Sequence, residues 1–182
     1  MAGKGEITVD IAGAMVTAAT RPAEWLVIAP VILCLGAGGI LLMFRKDVRQ
    51  HAIISLGALG LLVLANAVLM ARVLDSGPVV MTMGRWLPPF GITFAADVLG
   101  VSFSLAAAVV AFLAALYGLM DIDNTERRYG FYPFLMMMMG GVSGAFLTAD
   151  VFNMYVWFEV LLISSFGLIV LGSRHVQLDG AL

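Results

Sequence analysis

Glu159 is the only formally charged residue between Val151 and Ser173, a stretch long enough to cross a bilayer. Holding an ionised carboxylate at the centre of a membrane costs about 2.5–3.5 kcal/mol on insertion scales, so an acid at that depth points to an ion or proton path. At 1.5 Å per residue it lies roughly 12 Å along the helix from Val151, too deep for a short side chain to reach bulk water. It must therefore face protein or an internal water cavity. On a 100° wheel Phe152, Tyr155, Leu162, Ile163 and Phe166 share its face, whereas Ser164 and Ser165 point elsewhere. From the same helix only the Tyr155 hydroxyl can assist it.

All ten Lys and Arg residues fall in termini, loops or helix ends. No internal cation is available to Glu159, so either the acid is protonated at neutral pH or a charge from outside these 182 residues holds it ionised. A carboxylate poised in that way suits a proton relay, because a small movement of a partner charge or of water changes its protonation. A structural, hydrogen-bonded glutamate is the plainer alternative. Tyr155, Asp150, Asn153 and Ser143 are the candidate supporting residues. Asp97 precedes the third helix, and Asp150 and Asn153 flank the start of the fifth, where N-terminal capping accounts for them. Asn66 and Ser143 either line hydrated crevices or make interhelical hydrogen bonds, the commoner use.

Other chemistries find no foothold. Cys34, the single cysteine, sits inside the first helix as a small core residue and excludes disulfides and thiolate clusters within the chain. His51 and His175 lie at helix ends without clustered ligands, so neither makes a metal site. No phosphate-binding glycine loop, zinc-protease motif or nucleophilic triad spacing is present, and the expectation is a non-enzymatic chain with no cofactor. A net charge of −2 gives no footprint for nucleic acid.

The elements that must position Glu159 follow from composition. Hydrophobic residues make up 62% of the chain and charged ones 12%, about half the share in soluble domains, which marks an integral membrane protein. Four uncharged stretches of about 20 residues, together with the one around Glu159, predict five transmembrane helices, near 26–44, 50–71, 97–120, 130–149 and 151–173, in one all-α membrane domain spanning 25–173. Residues 1–24 read as a short extension, because Asp10 interrupts what would otherwise resemble a signal peptide. Residues 174–182 read as a cytoplasmic connector, and Thr125 to Arg128 as a solvated one.

Placing Arg45, Lys46, Arg49, Arg127, Arg128 and Arg174 in the cytoplasm leaves Lys4, Arg21, Arg72 and Arg85 outside, which predicts an external N-terminus. Val73 to Phe94, with Gly77, Pro78, Pro88, Pro89 and Gly91, then becomes a turn-rich external cap. Gly140 and Gly144 form a small-residue stripe that suits either a tight partner for the Glu159 helix or generic packing, the latter favoured. Met136 to Met139 supply pliable side chains, for helix adjustment or for gap filling.

The segment from Gly144 through Asp150, Asn153, Tyr155 and Glu159 to Ile163, GAFLTADVFNMYVWFEVLLI, closely resembles helices four and five of the D subunit of the Mrp-type multisubunit cation/proton antiporters. Met83 to Asp97, MGRWLPPFGITFAAD, resembles the external loop entering helix three of the same subunit, and the likeness runs in order over about residues 25 to 182. The family is homologous to the proton-pumping subunits of respiratory complex I. The resemblance implies that Glu159 is the essential acid of a proton-transfer site, paired in complete relatives with a lysine on a later, broken helix. It further implies a polypeptide of about fourteen helices, of which this chain is the N-terminal portion, residing in the cell (inner) membrane. Its partners would be other antiporter subunits, the lipid bilayer, protons and Na+ or K+. The chain ends at Leu182, before any such lysine, which predicts a truncated form inactive alone. The alternatives are a subunit of a complex I-like quinone oxidoreductase or membrane-bound hydrogenase, and a noncatalytic membrane scaffold or remnant.

Overall fold

A computed structural model describes residues 21–22, 24–44, 47–83, 86 and 91–171. The expectations for the N-terminal extension, for Arg45, Lys46, Arg85, Pro88 and Pro89, and for the connector with Arg174 and His175 lie outside those residues, as does much of the loop motif that enters the third helix.

Six helices and one strand pair follow in order: α1 (Ala29–Met43), α2 (Val48–Ser76), β1 (Val79–Thr82), β2 (Thr93–Ala96), α3 (Val98–Asp121), α4 (Asn124–Tyr129), α5 (Phe131–Leu147) and α6 (Val151–Ile169). Three of them, α2, α3 and α6, are long and apolar enough to cross a membrane; α1 and α5 are apolar but shorter, at 15 and 17 residues. A 3-10 turn, Glu24–Val27, leads into α1, and Pro30 sits in that helix's first turn, where its missing N–H costs nothing.

Short acidic side chains start the other long helices. Asp47 accepts from the Arg49 and Gln50 amides at 3.2 and 3.3 Å, Asp97 from the Gly100 amide at 2.7 Å, and Asp150 from the Phe152 amide at 2.8 Å. Each satisfies N–H groups that a helix cannot pair internally. At the far end of α3, Arg127 donates from Nη2 to the carbonyls of Gly118 and Leu119, at 3.1 and 2.7 Å, doing the same for unpaired C=O groups.

Helix α5 is central. It packs against α1 on one side, α6 on another and α3 on a third, while α2 pairs with α3 and α1. The main core joins Leu41, Leu59, Leu62, Ala108, Ala115, Tyr132 and Met136. A second core, toward the other end, joins Val27, Val31, Leu69, Met81, Phe94 and Leu147.

Three expectations change. The fold is not purely helical: α2 runs on to Ser76, and the segment expected as a turn-rich cap holds an antiparallel hairpin pairing Val79 with Ala96 and Thr82 with Thr93. The turn at Gly77, with φ +82°, redirects the chain from α2 into β1. The connector expected to be solvated is a short helix, α4, which carries Arg127 and Arg128 and buries none of its residues. The third change concerns the glycine stripe. A Cβ on Gly140 would meet Cys34 and Leu35 of α1, whereas one on Gly144 would meet the Trp157 indole, and one on Gly141 the α6 backbone at 2.9 Å from the Leu161 nitrogen. Gly141 and Gly144 thus admit α6, and Gly140 admits α1.

Candidate functional site on helix six

Helix α6 begins in a hydrogen-bonded corner. The Asp150 amide donates to Thr148 Oγ1 at 3.3 Å, and Asn153 Nδ2 donates to the same oxygen at 2.9 Å. The Ala149 amide donates to the Thr93 carbonyl at 2.9 Å, and Phe94 bridges to Thr148, so the hairpin holds this corner from outside. Trp157 completes the attachment, lying 6.3 Å from the Phe94 ring between centroids and over Gly144. The hairpin and two small glycines fix where α6 lies and how it is rotated.

That rotation decides what Glu159 meets. Asn153 and Ser164 are the buried residues of α6, and Trp157 and Leu161 approach α5. At 100° per residue these positions lie on the side of α6 opposite Glu159. On the glutamate's own face Phe152, Tyr155, Ile163 and Phe166 are 72%, 61%, 66% and 49% exposed. Glu159, ninth of nineteen residues, is half-buried among them. The expectation of a carboxylate turned toward protein or a water cavity is therefore not met by the described residues: it stands on the uncovered side of an edge helix.

Of the candidate supporting residues, Tyr155 is the one that shares Glu159's face, one helical turn earlier on α6. The Asp150 carboxylate is occupied as the helix cap, about 13 Å along the axis from Glu159. Asn153 is buried at the Thr148 corner. Ser143 is fully buried on α5, its hydroxyl without a partner among the described residues. Asn66 donates back to the Leu62 carbonyl at 2.9 Å within its own helix, and Ser164 does likewise, donating to the Val160 carbonyl at 2.7 Å. No group of three or more His, Cys, Asp or Glu residues is arranged to hold a metal among the described residues.

His51 and Asn66, weighed singly from the sequence, share one face of α2 with Ser55. His51, Ser55, Leu59, Leu62, Asn66, Leu69 and Val73 are all buried, so three polar residues share an otherwise apolar stripe. Their spacing, read with the apolar positions between them, follows the helical repeat and marks them as inward-facing.

Comparison with known proteins decides the lineage. The chain is 36% identical over 157 residues to the D subunit of the Na(+)/H(+) antiporter of Alkalihalophilus pseudofirmus, an alignment covering 86% of this chain and 32% of that protein. The chain is homologous to the Mrp antiporter D subunit. It spans about a third of that relative's length. No family model matches it. Its fold agrees with that of a chain in the Mrp complex from Dietzia sp., with a TM-score of 0.81 and 24% identity, covering 88% of this chain and 30% of the other. It agrees also with a chain of the membrane-bound sulfane sulfur reductase, an archaeal respiratory membrane complex, with a TM-score of 0.76 and 22% identity, covering 88% and 33%. The chain is a multi-pass membrane protein, with three described helices long and apolar enough to cross a membrane.

Proposed function

We propose that this chain forms the N-terminal part of one component of a multisubunit monovalent cation/proton antiporter of the cell membrane, and that Glu159 is its proton-transfer group. The observation that supports the reading is the placement of Glu159: mid-helix, one turn from Tyr155, on a face of α6 that the described helices leave open. A carboxylate there is tolerable in a bilayer when a later segment or a neighbouring subunit covers it and brings a positive charge. Five membrane crossings follow if α1, lengthened by its 3-10 turn, and α5 cross beside the three longer helices. The end bearing Arg49, Arg127 and Arg128 then faces the cytoplasm and the hairpin end faces outward.

In this mechanism the movement of a cation toward Glu159 favours the ionised acid and releases its proton; withdrawal of that cation favours uptake. Tyr155 donates to the carboxylate and orients it. Proton flow through the assembled complex then drives export of Na+ or K+. Replacing Glu159 with Gln in a polypeptide of full family length should abolish proton-coupled cation transport in everted vesicles while the complex remains assembled. Normal transport by E159Q would overturn the assignment.

A second reading rests on the fold shared with the archaeal respiratory complex: the same proton step in a redox-driven pump. Neighbouring genes for quinone-site or iron–sulfur subunits would favour it, and genes for small antiporter subunits would favour the antiporter.

A further inference from the structure

His51 is fully buried, and neither ring nitrogen has a hydrogen-bond partner among the described residues. An imidazole carries at least one N–H and, when neutral, one acceptor nitrogen, and leaving both unmatched in an apolar core is unfavourable. The ring is not enclosed by apolar packing alone. It lines a cavity of about 230 Å³ whose walls include Leu42 of α1, Arg128 and Tyr129 of α4, and Pro133 of α5. Arg128 and Tyr129 also line a wider opening of about 900 Å³, which reaches Asp47, Gln50 and Thr125 at the arginine-bearing end of the bundle. The wide polar mouth and the narrow recess share these two residues, and His51 borders the recess with its ring nitrogens sealed behind the lining. Water occupies about 30 Å³ per molecule, so the recess has room for several, with Arg128 as a polar partner and the ring nitrogens reached when the packing around them opens.

We propose that His51 is a proton-exchanging group at the inner end of a water-filled inlet, separate from Glu159 and opening at the arginine-bearing end of the bundle. Imidazole is the side chain suited to taking up and releasing protons near neutral pH. The groups that bias it are the Asp47 carboxylate one turn earlier on α2, Arg128 and Tyr129 across the recess on α4, and, on the flanking elements, Arg127 of α4 and Tyr132 of α5; α1 contributes only Leu41 and Leu42 to the recess. Ser55, one turn further along α2, is fully buried with its hydroxyl likewise unpartnered among the described residues. It gives the inlet a polar continuation past the imidazole.

The test uses the full 182-residue chain in lipid nanodiscs, labelled with 15N-histidine. With only two histidines present, the His51 ring signals are assigned by their loss in H51Q and, should that variant misfold, by their survival in H175Q. Expected are ring signals that shift reversibly with bulk pH and a ring N–H that exchanges with solvent far faster than the amides in the middle of α3. Leu42→Trp, which narrows the recess, should slow that exchange by about tenfold or more while leaving the α3 amides unchanged. Ring signals that stay fixed as pH changes, or an exchange rate that L42W leaves untouched, would overturn the inlet. Neither outcome bears on Glu159, which these variants do not alter.

Discussion

A carboxylate on the outer side of an edge helix is expensive in a bilayer only while it is charged and uncovered, and this fixes the residue-scale expectations. Tyr155 is the one supporting candidate on Glu159's face one turn away, so Tyr155→Phe should lower proton-coupled transport without abolishing it, whereas E159Q should abolish it. Equal losses in the two variants, measured as cation-dependent proton release from vesicles, would argue against a merely orienting tyrosine. Asp150 acts elsewhere. Its carboxylate caps α6, so Asp150→Ala should cost about 1 kcal/mol of stability in detergent, while Asp150→Asn, which keeps an accepting oxygen, should cost a few tenths. Thermal unfolding of the two variants separates a capping role from a protonic one, since a protonic role would penalise Asn in transport rather than in stability.

Among elements, α6 depends on its glycine partners. Placing valine at Gly144 drives side-chain atoms into the Trp157 indole and should destabilise the α5–α6 pair by about 1–3 kcal/mol. Gly36, around which a Cβ meets nothing within 4 Å, is the control: Ala there should leave stability unchanged or slightly raised, as read by denaturant unfolding. The long helices were legible because an uncharged apolar run of some 20 residues seldom arises outside a membrane span. The acidic caps were legible because Asp97 and Asp150 stand directly before such runs. The hairpin was not. Its strands are four residues each, and the Pro and Gly residues between them speak for turns, while the pairing of Thr82 with Thr93 depends on a tertiary setting that hydropathy does not encode. The glycine stripe was only half legible for a related reason: spacing places Gly140 and Gly144 on one side of α5, but which neighbour lies there is settled by the Trp157 and Cys34 side chains. The burial of His51 was not legible: two histidines far apart make no ligand set, and burial of a single ring shows only once α1, α4 and α5 close around it.

At the scale of the molecule, α6 lies at the edge of the bundle with an aromatic and aliphatic face around one acid, and the homologous Alkalihalophilus pseudofirmus protein is about three times as long as the aligned segment. A covering partner for that face predicts that cysteines placed at Phe152 and Ile163 react readily with an apolar photoprobe in this chain embedded in lipid, and that the matching positions of a polypeptide of full family length are protected. Equal labelling in both would mean that the face meets lipid throughout and that Glu159 has no covering partner. The most direct measurement concerns the acid itself: isotope-edited infrared difference spectra of an assembled complex, recorded as the pH is stepped. Proton transfer through Glu159 predicts a carboxylic acid signal that changes with pH and with transported cation and is missing in E159Q; a signal that persists in E159Q, or one that never responds to pH or cation, would contradict it.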